Sequence, residues 1–123
     1  MGDVISVVEL NGKHILYFDY SQIESGDTQG LIKAILEAEK FMVLRGPGQR
    51  TLTNVNGIKE NTEIVRTFKE VSVRTKGYRQ KGAIIGLNKF QQIAVNAINW
   101  FSGSSLRSFN SFYDARDWLA SDE

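Results

Sequence analysis

The chain has no cysteine, one proline (Pro47) and one histidine (His14) among its 123 residues. Without cysteine there is no disulfide, no thiolate nucleophile and no cysteine-rich zinc site. One histidine leaves no imidazole pair for a transition metal, so neither metal nor cofactor is expected. The lack of disulfides is compatible with the cytoplasm, which is the expected location. No charge dominates: 15 Lys and Arg face 14 Asp and Glu, for a net charge of +1. So weak a field draws in neither nucleic acid nor a membrane surface, and no nucleic-acid partner is expected. No apolar run approaches the ~18–20 residues of a membrane span, and no basic stretch leads into a signal-peptide core. The residues Met1-Gly2-Asp3-Val4-Ile5-Ser6 fit an acylation pattern in form. Residues 4–10, however, read as a strand with Ser6 inside it. There is no N-glycosylation sequon, repeat, linker or low-complexity segment.

What is present is an ordinary globular composition, 41% hydrophobic and 24% charged, sufficient for one domain spanning 1–123 with its own core. The runs VISVVEL (4–10) and KHILYFDY (13–20) are rich in β-branched and aromatic residues. Asn11-Gly12 joins them, and a two-residue hairpin turn needs positive φ at both positions, so this pair predicts an antiparallel hairpin. Residues 28–43 are helical in period, with Leu31, Ile35, Ala38 and Met42 in one stripe, Ser25 or Asp27 as N-cap, and Arg45-Gly46-Pro47-Gly48 as the stop. Residues 49–55 read as a short strand and 60–75 as a helix. GAIIGL (82–87) is a continuous apolar run, the pattern of a buried parallel strand. Residues 88–103 then predict a helix whose apolar face includes Phe90 and Phe101. A last strand (106–110) and a short helix (111–121) follow, with Ser111 and Asp114 at capping-box spacing. Strands separated by helices imply right-handed crossovers. The expected fold is α/β: a mixed, mostly parallel sheet of about five strands, an N-terminal antiparallel hairpin and about four helices.

Two groups of residues carry candidate chemistry. Asp19 and Ser21 end the second strand, and Ser25 precedes a helix. In open α/β sheets ligands sit beyond the carboxyl ends of the strands, so these residues form a candidate anion or phosphorylation site. The competing reading is a strand-end turn and a helix cap. His14 shares a strand face with Leu16 and Phe18 while Asp19 points the other way, so no Ser-His-Asp triad forms locally. The stretch RTKGYRQK (74–81) sets Arg74, Lys76, Arg79 and Lys81 around Tyr78. It is a candidate basic contact patch, read otherwise as a solvated loop before a strand. Adjacent Trp100 and Phe101 point about 100° apart on a helix, so one of them, with Phe90 or Tyr113, is a candidate for a dimer surface or a pocket lip.

Three segments together, HILYFDYS, KGAIIGLNKFQQIAVNAINWFSG and SFNSFYDARDWL, resemble the bacterial STAS-like, SpoIIAA-like proteins. Those are related in fold to anti-sigma factor antagonists and to CRAL-TRIO lipid-binding domains. The resemblance implies a small mixed sheet with helices packed on it and, for most members, no assigned reaction. It also implies, in the signalling relatives, a phosphoacceptor hydroxyl in an Asp-Ser-(Ser/Thr)-Gly turn where the third strand feeds the second helix. Here that region reads LTNVNGIKENTEIV, with Asn54, Asn56 and Gly57 in place of the Asp-Ser pair and Thr62 as the nearby hydroxyl. The expected function is therefore a non-enzymatic protein-interaction or regulatory module with a protein partner or a second copy of itself. The alternative is a carrier of a small apolar or lipid ligand held between helices and sheet.

Overall fold

The computed structural model describes residues 3–59, 61–88 and 106–122. Strands β1 (Ile5–Leu10) and β2 (Lys13–Asp19) form the expected hairpin. Its turn residues Asn11 and Gly12 have φ of 55° and 76°, the left-handed conformations that asparagine and glycine tolerate best. Helix α1 (Thr28–Arg45) follows, then β3 (Gln49–Asn54), α2 (Thr62–Arg74), β4 (Arg79–Ile85), β5 (Leu106–Phe109) and α3 (Phe112–Ala120). The sheet runs β1-β2-β3-β4-β5, antiparallel at β1–β2 and parallel elsewhere. The fourth expected helix, residues 88–103, falls outside the described residues apart from Asn88, as do Phe90, Trp100 and Phe101.

Each helix starts where a short polar side chain can take the place of the missing turn. The Asp27 carboxylate accepts from Gly30 N at 2.9 Å and begins α1, so Asp27 rather than Ser25 is the cap. Asn61 accepts from Ile64 N at 2.9 Å and begins α2, which makes Thr62 the first helical residue and not the cap. Ser111 accepts from Asp114 N at 3.1 Å and begins α3, as its spacing implied.

Strand alternation divides the core between the two faces of the sheet. Leu16 and Phe18 of β2 meet Leu31, Ala34, Ile35, Ala38 and Met42 of α1 and Ile64 of α2 on one face. Ile15, Leu52, Ala83 and Ile85 meet Ala115, Leu119 and Ala120 of α3 on the other. The two alanines on α3 let the helix come close to the sheet.

Strand β4 begins three residues before the apolar run that announced it, and this corrects the expected loop at 74–81. Arg79 and Lys81 are strand residues. In the parallel β3–β4 pairing Gln49 sits opposite Arg79 and Arg50 opposite Lys81, so Gln80 is an extra residue, a β-bulge. Residues two apart on a regular strand share a face, whereas across this bulge Arg79 turns toward α2 and Lys81 toward α3.

Lys81 is 7% exposed. Its Nζ donates to Trp118 O at 3.0 Å, Ser121 O at 3.1 Å and Ser121 Oγ at 3.0 Å, and lies 5.0 Å from the Trp118 ring centre. Arg50 donates to Leu119 O and, at 3.0 Å, to Ser121 O. Lys13 pairs with Asp122 at 2.6 Å. Helix α3 has no basic residue in its own last turn. The sheet therefore supplies the cations that satisfy its final carbonyls and oppose its negative dipole end.

Replacing Lys81 by Met should lower the unfolding free energy in urea by about 1–3 kcal/mol, the usual value of charged hydrogen bonds lost from a buried site. Lys76→Met, in an exposed turn, should change it by less than about 0.5 kcal/mol. Equal effects would contradict the clamp.

Candidate functional site

The carboxyl ends of β2 and β3 and the starts of α1 and α2 share one rim of the sheet. There Asp19 closes the short 3-10 turn Tyr20–Gln22. Its carboxylate accepts from Ser21 N at 3.2 Å, from Ser21 Oγ, and from Gln22 Nε2 at 3.0 Å. The geometry thus brings Asp19 and Ser21 together, but as a turn. Asn54 does the same at the end of β3, accepting from Asn56 N at 3.0 Å while its amide donates to Tyr17 OH at 3.2 Å. Asn61 Nδ2 donates to Thr28 Oγ1 at 3.1 Å and ties the two helix starts together. Ser25 lies two residues ahead of the α1 cap and Thr62 one residue behind the α2 cap, both exposed. Polar side chains on this rim are largely occupied in closing the backbone.

The basic stretch does not form one patch. Arg74, on α2, makes a two-pronged pair with Glu39 of α1 at 2.7 and 2.9 Å, with Glu70 at 3.9 Å. That pairing raises its already high pKa, chiefly through the hydrogen bond to Glu39. Lys76 sits in the exposed 3-10 turn Lys76–Tyr78. Lys81 belongs to the α3 clamp. Arg79 alone of the four faces inward beneath α2, where Nη1 donates to Thr75 Oγ1 at 3.0 Å and Nη2 to Ser72 O at 3.2 Å. Burial lowers its pKa below the ordinary arginine value.

Arg79 enters a cavity of about 120 Å³ between α2, the later turns of α1 and the floor made by β2 to β5. Phe18, Tyr20, Met42, Ile64, Phe68 and Leu106 are among its walls, and Thr51 and Thr53 lie on its floor. Tyr20 and Phe68 meet edge to face, with ring centres 5.7 Å apart. The resemblance had offered a pocket between helices and sheet, but sequence reasoning named none of the residues that line this chamber. One signal was available: Gly82, inside a strand that otherwise favours bulky residues, commonly marks a bulge or a close approach.

No protein-family model matches the chain, and no curated protein matches it. Among solved structures, the fold is similar to that of an uncharacterised protein of the DUF3478 family with a SpoIIAA-like fold from Shewanella loihica PV-4. The TM-score is 0.64 at 18% identity, covering 94% of this chain and 91% of that one. An anti-sigma-factor antagonist (STAS) domain protein from Planctomyces limnophilus aligns over 95% of this chain and 98% of its own at 14% identity, with a TM-score of 0.46. The fold is SpoIIAA-like, as the sequence resemblance implied.

The chamber gives a pH prediction. Tyr20 is 3% exposed, and burial pushes its hydroxyl well above the ordinary 10.0. The unfolded chain releases that proton near pH 10 while the native state retains it. Stability from this group is therefore complete below about pH 10 and is lost as pH rises further. Urea unfolding at a series of alkaline pH values should show this loss in the parent, and a smaller one in Tyr20→Phe.

Proposed function

We propose that this SpoIIAA-like domain is a non-catalytic binding module whose chamber beneath α2 receives a small apolar molecule. The observation that carries the reading is the cavity itself. A well-packed interior leaves few voids larger than a water, and an apolar void of about 150 Å³ accepts benzene. The walls are aliphatic and aromatic, with a few polar groups converging on one end, the usual make-up of a small-molecule site. On the rim, Asp19 and Ser21 are spent on a turn, which supports a binding role over a reaction. Among the described residues no helix is long and apolar enough to cross a membrane. The proposal includes a cytoplasmic setting, to be checked by cell fractionation.

A second reading, protein contact as the activity, has its own support on α1. Leu36, Val43 and Leu44 are 44%, 42% and 82% exposed, and Ile32 continues the same stripe. Exposed apolar side chains grouped on one helix are the kind of surface that protein partners cover, a second copy of the chain included. Were such a module switched by phosphate, Ser25 and Thr62 would suit it better than Ser21. They flank helix N-termini, which favour negative charge, whereas a phosphate on Ser21 would face the Asp19 carboxylate.

The cavity reading is tested by filling the site. Val65→Trp should retain the fold, read by circular dichroism, and should lose the binding of benzyl alcohol that ligand-detected NMR shows for the parent. Binding unchanged in the filled variant would overturn it. For the contact reading, Leu36→Asp with Val43→Asp should abolish any concentration-dependent dimer seen in sedimentation; a dimer that survives both changes rules this face out.

A further inference from the structure

One polar atom beneath α2 makes no bond that holds the fold together. Tyr20 is 3% exposed and lies among the walls of the chamber. Its ring is fixed from two sides, stacked on Phe18 with centres 6.5 Å apart and edge to face with Phe68 at 5.7 Å. Its hydroxyl has no hydrogen-bond partner among the described residues, and burial alone raises its pKa. A tyrosine hydroxyl buried this deeply ordinarily finds a partner. Every fully enclosed side-chain nitrogen or oxygen among the described residues does so. The Tyr20 hydroxyl therefore borders open space, and the space its ring borders is the chamber. Thr51, 5% exposed on the chamber floor, adds a second hydroxyl without a described partner.

The charged residues among the described lining, Glu39 and Arg79, are already engaged. Glu39 is held by Arg74 through two bonds, and Arg79 donates to Thr75 Oγ1 and Ser72 O. Recognition is left to neutral hydroxyls. A phenol whose proton is retained past pH 10 is a donor at neutral pH, and its complement is an acceptor oxygen. A carbonyl oxygen offers two lone pairs and brings no N–H or O–H of its own that would need a partner. A carboxylate would carry a charge into apolar walls, at much greater cost.

We infer that the chamber takes up a small neutral carbonyl compound, a short or cyclic ketone, whose oxygen accepts from the Tyr20 hydroxyl while its hydrocarbon part fills the apolar walls. The inference rests on the cavity reading above and adds the chemistry of the ligand's polar end. The volume of about 120 Å³ is below the roughly 150 Å³ that accepts benzene, which suits a body of about six non-hydrogen atoms.

Cyclopentanone and methylenecyclopentane test it, since they share a shape and differ in an oxygen against a CH2 group. Dissociation constants are measured by ligand-detected NMR at neutral pH for the parent and for Tyr20→Phe, which removes the hydroxyl and keeps the ring. The substitution should weaken the ketone roughly fivefold, the usual effect of one neutral hydrogen bond. It should leave the alkene within about a factor of two, because no hydrogen bond to it is lost. Unchanged ketone affinity in the variant overturns the inference and leaves the cavity reading standing. An equal loss for both ligands gives Tyr20 a packing role alone and likewise overturns it. Binding of neither ligand by the parent removes the cavity reading as well. Where the variant does not fold, the infrared carbonyl band of cyclopentanone bound to the parent decides. A band below its frequency in hexane supports the hydrogen bond, and a band at the hexane frequency overturns the inference.

Discussion

A single extra residue in the β3–β4 pairing, Gln80, sends two neighbouring cations to opposite faces of the sheet. Side chains on a strand alternate with period two, so a bulge reverses every assignment on one side of it relative to the other. Here it sends Lys81 to the face covered by α3 and Arg79 to the face covered by α2. Each cation then meets the end of a helix, Trp118 O and Ser121 O for Lys81, Ser72 O and Thr75 Oγ1 for Arg79. Without the offset both would lie on one face of the sheet. A buried cation is tolerable only when oxygen atoms replace the water it has lost. The bulge is what distributes that requirement over two helices.

The two faces then differ in what they can do. On the α3 face, Lys81, Arg50 and the small residues Ala115 and Ala120 draw the helix tightly to the sheet. The neighbouring aromatic layer is similarly close: Tyr17 and Phe112 meet at 5.2 Å, Phe109 and Trp118 at 5.4 Å. On the opposite face α1 packs closely through Leu31, Ile35 and Met42, but α2 contributes one fully buried residue, Ile64. Thr51 and Thr53 lie on the floor beneath it, and the chamber lies there. The void follows from packing α2 less completely than its neighbours among the described residues.

The carboxyl rim, where α/β proteins commonly place ligands, is used differently. Asp19, Asn54, Asp27 and Asn61 each spend an oxygen on a nearby backbone N–H. The SpoIIAA-like fold is thereby maintained while the Asp-Ser turn implied by the resemblance is replaced by asparagines that build the turn themselves. Ser25 and Thr62 are left exposed on either side of the bridge from Asn61 to Thr28. This rim and the chamber are separate chemical environments, and the basic stretch that looked like one patch contributes to neither as a unit.

Much of the architecture was determined locally and was legible in the residues. Asn11-Gly12 specifies the hairpin because few other pairs accept positive φ twice. The stripe of Leu31, Ile35, Ala38 and Met42 specifies α1 because only a 3.6-residue period brings those positions to one side. Ser111 marks α3 because its hydroxyl can reach the N–H three residues on. The start of β4 was not legible: Arg79 and Lys81 read as solvent-facing, since their burial depends on carbonyls about forty positions later or on a preceding helix end. The lining of the chamber was equally invisible, because its described residues come from four strands and two helices and converge only once their register is set. Sequence alone determined the hairpin turn, the cap of α3 and the order of the described strands and helices, through interactions spanning a few residues. Tertiary structure decided the bulge, the opposite fates of the two cations and the unfilled space beneath α2, because each depends on which distant backbone lies alongside.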